Sequence, residues 1–358
     1  MINLSTIYNL KDSKKYINEV IDSDWISFTG KYVNKCETFL QDKLNVKHVL
    51  LTNNGTSATH CIIKSIKIKN PNCNKIYVQN NCYIAVYNMI LTEFEKEQIV
   101  ILPTDEETWN LDLNYLNRIE KNAALVIINN IGNILPIRII KEKRPDIIIV
   151  EDNCEGFMGK HNNVYSGTES LSSAISFYAN KHITCAEGGA FITNDTMVYN
   201  KIKSFCRQGN TDKKFIHDTL AFNYRLNNIN AALLFSQLEK LDEIIEKKKY
   251  IYSNYINLLK DIKDIKIQKI LPNTEHSYWL IGINFQNISH SYEEIDKIFR
   301  DNNIEIRPFF YDIRKHKHLK EIEILDDKYF NNNIILLPLH PKLKNNDIKI
   351  IINIIKTI

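Results

Sequence analysis

The sequence predicts an α/β fold built on a mostly parallel sheet of seven strands, with a smaller α/β domain after it. Three observations carry this. First, short apolar runs rich in β-branched residues recur at 48–52, 75–79, 98–102, 124–129, 147–151, 174–178 and 190–193. Second, helical patterns separate the early runs, near 57–68, 84–95, 112–120 and 136–143. Strands that are apolar throughout, alternating with helices, belong to a sheet covered on both faces. Third, the pattern changes from Asn228. Leu234, Leu238, Leu241 and Ile245 mark one face of a long helix running towards residue 260. Strands then follow near 278–284, 304–310 and 334–338. The boundary is expected inside that helix, giving a large domain of 1–245 and a smaller one of 246–358.

Composition narrows the function classes. The 358 residues carry a net charge of only +4, with Lys and Arg scattered. The one lysine run, Lys247–Lys249, reads as a solvated helix face, which argues against nucleic acid as a partner. No apolar run reaches the roughly 18–20 residues of a membrane span. The start "MINLSTIYNLKDSKK" has no signal-peptide core, so the expected location is cytoplasmic. Seven cysteines without a C-x-x-C are expected to be reduced, mostly buried thiols, and no metal site is expected. Glycine is scarce at ten residues, yet seven of them fall at 132, 156, 159, 167, 188, 189 and 209. The chemistry is sought there.

Four features lie at strand ends, where open parallel sheets bind ligands. "LTNNGTSATH" (51–60) runs from a strand through Gly55 into a helix beginning with Thr56 and Ser57, the makings of a phosphate cradle. "IIIVEDNCEG" (147–156) ends a buried strand on Glu151 and Asp152. "SFYANKH" (176–182) sets Ser176 and Lys181 where a strand becomes a loop. Tyr83, in "QNNCYIAVYN", follows another strand, where its ring could cover a flat cofactor. Each alone also fits an ordinary role: a capped helix, an ion-pair carboxylate, a solvated lysine, a core aromatic. Together they fit pyridoxal 5′-phosphate (PLP), which needs a phosphate cradle, a stacking ring, a carboxylate on its pyridine nitrogen and a lysine that bonds it.

The sequence resembles the PLP-dependent sugar-nucleotide aminotransferases of the DegT/StrS type, with the fold-type I, aspartate-aminotransferase-like architecture. The motifs "WISFTGKYVNKCETF", "NNGTSA", "VEDNCEGFMG", "SFYANKHITCAEGGAF", "FNYRLNNINAALLFSQLE" and "IEIRPFF" occur in the family's order and spacing. Within it, "WIS…GKYV" and "IRPFF" are most similar to the C4-aminating perosamine and viosamine synthases. The resemblance implies roles by position. Lys181 matches the lysine that holds the cofactor and shuttles protons, and Asp152 the pyridinium partner. Tyr83 occupies the stacking position; Gly55, Thr56, Ser57 and Ser176 match the phosphate binders. Glu155 falls near the ring hydroxyl, and Glu187 matches the acid of the family's "EGG". Asn223 matches an asparagine that reaches the neighbouring subunit's cofactor, which implies a homodimer with shared sites. Gly188 and Gly189 are expected to let the chain turn tightly into the next strand. "INNIG" departs from the family's "VHLYG", "QNN" (79–81) from its Pro-Ser-rich entry and "CE" (36–37) from its "FE", leaving the substrate wall open.

A nucleotide sugar brings a pyrophosphate, for which Arg307, Arg314 and Lys315 are the candidate cations. The implied reaction takes an amino group from L-glutamate to C4 of a nucleotide-linked 4-keto-6-deoxy-hexose. Amination at C3, and a PLP-binding regulator without turnover, are the alternatives. The same fold hosts sugar 3-dehydratases with histidine in place of the lysine; Lys181 argues against that activity. A helix-turn-helix motif for DNA binding is not found.

Overall fold

A computed structural model of the chain describes residues 1–326, 330 and 333–358. The main sheet contains β1 (His48–Thr52), β2 (Ile76–Gln79), β3 (Ile99–Leu102), β4 (Ala124–Ile128), β5 (Ile148–Asp152), β6 (Ser173–Ser176) and β7 (Gly189–Thr193). The second sheet contains β8 (Ile265–Ile267), β9 (Ile281–Phe285), β10 (Arg307–Pro308) and β12 (Ile334–Leu337). Between β10 and β12 in the chain, β11 (Glu323–Ile324) crosses back to the main sheet.

The main sheet has the order β1-β7-β6-β5-β4-β2-β3-β11. Its pairs are parallel from β6 across to β11, and β7 runs antiparallel to both its neighbours. The sheet therefore has eight strands, not seven. The eighth is a two-residue strand in a charged segment, too short to show any apolar run. The seven expected strands all form, and every residue of β2, β3 and β4 is buried. Helices on both faces demand that, so the run carries no alternation.

Two helical expectations need correction. Residues 112–120 form a 3₁₀ turn at Leu113–Arg118 rather than an α-helix. The long helix from Asn228 is two helices, Asn228–Leu238 and Leu241–Leu259. The apolar spacing of Leu234, Leu238 and Leu241 continues across the break, because both helices bury that face against the same core. Periodicity alone cannot register the interruption.

The second helix joins the two cores. Leu241 and Ile244 pack with the helices flanking β1, and Ile251, Tyr252, Tyr255 and Leu259 pack with the second sheet. Ile245 touches both, and we propose it as the point dividing 1–245 from 246–358. The second sheet is antiparallel, in the order β8-β9-β12-β10. The N-terminus reaches it too: Leu4 lies in its core, and Ile2 bridges to Ile304.

The lysine run is not a wholly solvated face. Lys248 is 4% exposed, with its ammonium on the carbonyls of Trp279 and Leu339. Its neighbours Lys247 and Lys249 reach carboxylates, at 3.8 Å from Glu243 and 2.8 Å from Glu275. A charge on a helix is solvated only if its face is, and this helix has two buried faces in succession.

Candidate active site

The carboxyl ends of the parallel strands open into one cavity of about 550 Å³. On one side, β1 passes through Asn54 into the helix Gly55–Lys69. The Asn54 side chain caps it, accepting from the Ser57 amide at 2.8 Å. The Gly55 and Thr56 amides are the next of the helix's leading N–H groups, which have no acceptor within the helix. Both residues line the cavity beside Ser176 at the end of β6; Ser57 is buried just behind them. A Cβ on Gly55 would lie 2.7 Å from the Ser176 side chain. The glycine is what lets helix and strand converge, and the result is a ring of donors at a helix N-terminus suited to a phosphate.

Asp152 ends β5 and is almost fully buried. Its Oδ2 accepts from the Thr59 hydroxyl at 3.0 Å, and its Oδ1 accepts from the Cys154 amide at 3.0 Å. The carboxylate is thereby held in place while it still faces the cavity. Lys181 follows in the loop after β6. It is no solvated loop lysine: its side chain is 12% exposed, and its Nζ lies 4.0 Å from Glu155 Oε1.

Glu155 is buried, and its Oε2 accepts from the Ile131 amide at 2.7 Å. Burial pushes its carboxyl above the usual carboxylate range, against the pull of Lys181, the Ile131 amide and Arg307. Ile131, within "INNIG", has φ of 61°, a left-handed conformation that a β-branched residue seldom adopts. Such strain collects at functional sites. Here it aims an amide at the carboxylate nearest the lysine.

Tyr83 lines the cavity, but it is 56% exposed rather than a core residue, touching Phe310 edge-on at 6.1 Å. Glu187 and Arg307 also line the cavity. Arg314 and Lys315 are exposed and do not line it; Arg314 is turned onto Asp312, with its Nε 2.8 Å from Oδ1. Asn223 is likewise exposed and outside the lining, with its Oδ1 accepting from Arg225 at 2.7 Å.

The paired glycines serve two purposes: a Cβ on Gly188 would lie 2.4 Å from Cys185 Sγ, so that glycine lets the turn close tightly as expected, and Gly189 adds another. The left-handed residue of that turn is Ala186, at φ 72°. Gly189 is required by close approach: a Cβ there would lie 2.5 Å from the Asn54 carbonyl. It lets β7 slide in beside β1 at the foot of the cradle.

Three further residues are absent from the sequence reading. Trp279 is 1% exposed yet lines the cavity, with its ring centroid 4.0 Å from Lys181 Nζ and 4.9 Å from the Arg307 guanidinium. Its Nε1 donates to the Asn180 carbonyl at 2.9 Å, fixing the loop immediately before Lys181. Asn180 and Thr59 also line the cavity. A signal existed for Trp279, one of only three tryptophans, at the start of a buried strand. Its distance in sequence from every motif concealed its place.

A donor ring closed by a glycine that admits no side chain, a carboxylate and a lysine, all on one cavity, fit PLP. The comparisons agree. Residues 8–356 match the model of the DegT/DnrJ/EryC1/StrS aminotransferase family. The chain is 30% identical to the GDP-perosamine synthase of Escherichia coli O157:H7 over 351 residues, 94% of this chain and 92% of that one. Solved structures that share the fold include two sugar-modifying enzymes. The aminotransferase PseC of Helicobacter pylori, involved in pseudaminic acid biosynthesis, has a TM-score of 0.88 at 24% identity, covering 99% of this chain and 98% of that one. The E. coli GDP-4-keto-6-deoxy-D-mannose-3-dehydratase, with bound hydrated PLP, has a TM-score of 0.88 at 20% identity, covering 99% of each. The chain belongs to the DegT/DnrJ/EryC1/StrS aminotransferase family, and its cofactor is pyridoxal 5′-phosphate.

Proposed function

We propose that this aminotransferase moves an amino group from L-glutamate to C4 of a nucleotide-linked 4-keto-6-deoxy-hexose. The product is a 4-amino-4,6-dideoxy sugar nucleotide of the perosamine or viosamine type, made for glycan biosynthesis. The observation that carries this is Lys181 beside Glu155 at one end of a cavity whose other residues include Asp152 and Arg307. The full-length likeness to a GDP-perosamine synthase supports the sugar class and the C4 position over C3.

When bound, PLP supplies an electron-withdrawing ring and the carbon that takes up and gives back the amino group. Gly55, Thr56, Ser57 and Ser176 would bind its phosphate, and Tyr83 would cover its ring. Asp152 would hold a proton on the pyridine nitrogen. Lys181 would bond the cofactor through Nζ and, when displaced, move the proton of the donor's α-carbon. Glu155, raised by burial and close to Nζ, would hold a proton near the ring hydroxyl. Arg307 is the cation for the substrate's pyrophosphate, with Glu187 at the mouth.

The test is a panel of GDP-, dTDP- and UDP-linked 4-keto-6-deoxy-hexoses with L-glutamate, the product read by NMR. One nucleotide is expected to be aminated at C4, with 2-oxoglutarate formed in equal amount. Amination at C3 would overturn the position. PLP binding without conversion by glutamate would favour the regulator.

The working unit in this reading is a homodimer in which Asn223 serves the partner's cofactor phosphate. Its placement outside its own chain's cavity supports this, as do the exposed apolar side chains of Phe215, Ile216 and Leu220 on the preceding loop. With a two-fold axis, a heterodimer of Lys181→Ala and Asn223→Ala chains places both lesions in one site and spares the other. Co-expressed and isolated, it is expected to exceed the mean activity of the two homodimers. Activity at that mean would reject the shared site.

A further inference from the structure

Lys248 is buried without use in the chemistry above, and its place in the fold shows what its donors do. Strands β9 and β12 pair antiparallel, with Ile281 opposite Leu337. Continued by two residues, that register would set Trp279 opposite Leu339. The ladder has parted there: the Leu339 amide turns away to the carbonyl of Leu4 at 3.3 Å. Lys248 enters at the parting from the helix Leu241–Leu259. Its Nζ donates to Trp279 O at 3.0 Å and Leu339 O at 2.6 Å. It makes no ion pair among the described residues, and an ammonium buried on neutral acceptors is costly. The cost is accounted for by the two carbonyls it ties.

One of those carbonyls belongs to the residue that meets the reacting lysine. The Trp279 indole N–H donates to Asn180 O, and its ring faces Lys181 Nζ at 4.0 Å. The same segment is braced from the other side. Ser277 donates its hydroxyl to Glu155 O at 2.5 Å and its amide to Gly132 O at 2.8 Å. His182 Nε2 lies 2.9 Å from Ser277 O. The bracing thus reaches both the loop of Lys181 and the loop of Glu155. Trp279 packs in the second domain's core, and Lys248 ties its carbonyl to the long helix.

We propose that Lys248 is a positioning residue for the reaction: it pins the Trp279 carbonyl between the second sheet and the long helix, so that the indole holds Asn180 and Lys181 in register. The proposal rests on Lys181 being the reacting lysine. A lysine displaced by even an ångström loses its alignment with the carbon it serves, an error that costs up to about 10²-fold.

The test compares Lys248→Met, Trp279→Phe and the double variant. Trp279→Phe keeps an aromatic ring and removes the N–H donated to Asn180. Two quantities are read. In the cofactor-free protein, the rate of reductive methylation of Lys181 is measured by peptide mass spectrometry. In the loaded enzyme, kcat and KM are measured separately. Lys248→Met is expected to change the Lys181 methylation rate at least threefold and to lower kcat about tenfold or more, with KM within threefold. The double variant is expected to be no worse than the poorer single one, because both act through one connection. An unchanged methylation rate with unchanged kcat would overturn the proposal, as would losses that multiply in the double variant. If Lys248→Met does not fold, Trp279→Phe decides: an unchanged methylation rate there rejects the connection. The methylation readout needs no turnover, so its failure is distinct from a failure of the Lys181 assignment, which Lys181→Ala tests alone.

Discussion

Lys181→Ala is expected to lose the visible absorbance of the lysine-bound cofactor and all measurable turnover, while its melting temperature stays within a few degrees of the parent. In the proposed role, the proton shuttle alone would be worth about 10²–10⁴-fold, and covalent attachment of the cofactor would be lost with it. The fold is spared for a structural reason. The lysine's side chain is not a packing element of the core; it projects into the cavity and approaches Glu155 at 4.0 Å and the Trp279 ring at 4.0 Å. Removing it leaves Glu155 buried with its Ile131 amide, and a carboxyl already raised by burial can take a proton rather than stand as an unpaired charge. Absorbance spectra with and without added PLP, thermal melts and coupled assays with glutamate settle the matter. Near-normal turnover would end the assignment of Lys181.

Much of this architecture was legible because burial on both faces writes an unmistakable pattern. Strands such as Ile99–Leu102 and Ala124–Ile128 are apolar from end to end, and the chemistry-bearing residues sit at the ends of such strands or in the loops just after them. Lys181, Asp152, Gly55 and Ser176 were found by that logic, and the structure brings them to one cavity. Features set by distant neighbours were hidden. Nothing local to Lys248 says that two strand ends part beside it, so the run 247–249 reads as surface. Trp279 is joined to the site only by the return of a strand from the second domain. Arg314 has the right charge, and its nearest acid, Asp312, is two residues away and turns it from the cavity. Glycine scarcity pointed correctly to the 188–189 turn, but the force at work is steric approach to Asn54 rather than left-handed backbone. Close approach between segments more than 100 residues apart leaves no mark in composition.

Asp152→Asn is expected to lower kcat by at least about 10²-fold, with PLP retained and the fold unchanged. The substitution isolates charge from geometry unusually well here. The amide oxygen can still accept from the Cys154 amide, which Oδ1 now does at 3.0 Å. The new N–H can donate to the Thr59 hydroxyl, whose own hydrogen is free to rotate away from its present bond at 3.0 Å. Size, rotamer and both hydrogen-bonded neighbours are therefore kept. What disappears is the negative charge that, in the proposed role, would face a protonated ring nitrogen in a buried site, where a preorganised electrostatic partner is worth about 10²–10³-fold in rate. An asparagine there would offer the ring nitrogen a neutral partner, and the electron withdrawal the cofactor would supply for removing the donor's α-proton would be weaker. The measurement is single-turnover kinetics with L-glutamate, alongside the absorbance of the bound cofactor and α-deuterated glutamate as substrate. A rate loss with an enlarged deuterium isotope effect places the damage at proton removal. A change of less than threefold, with cofactor fully bound, rejects Asp152 as the pyridinium partner.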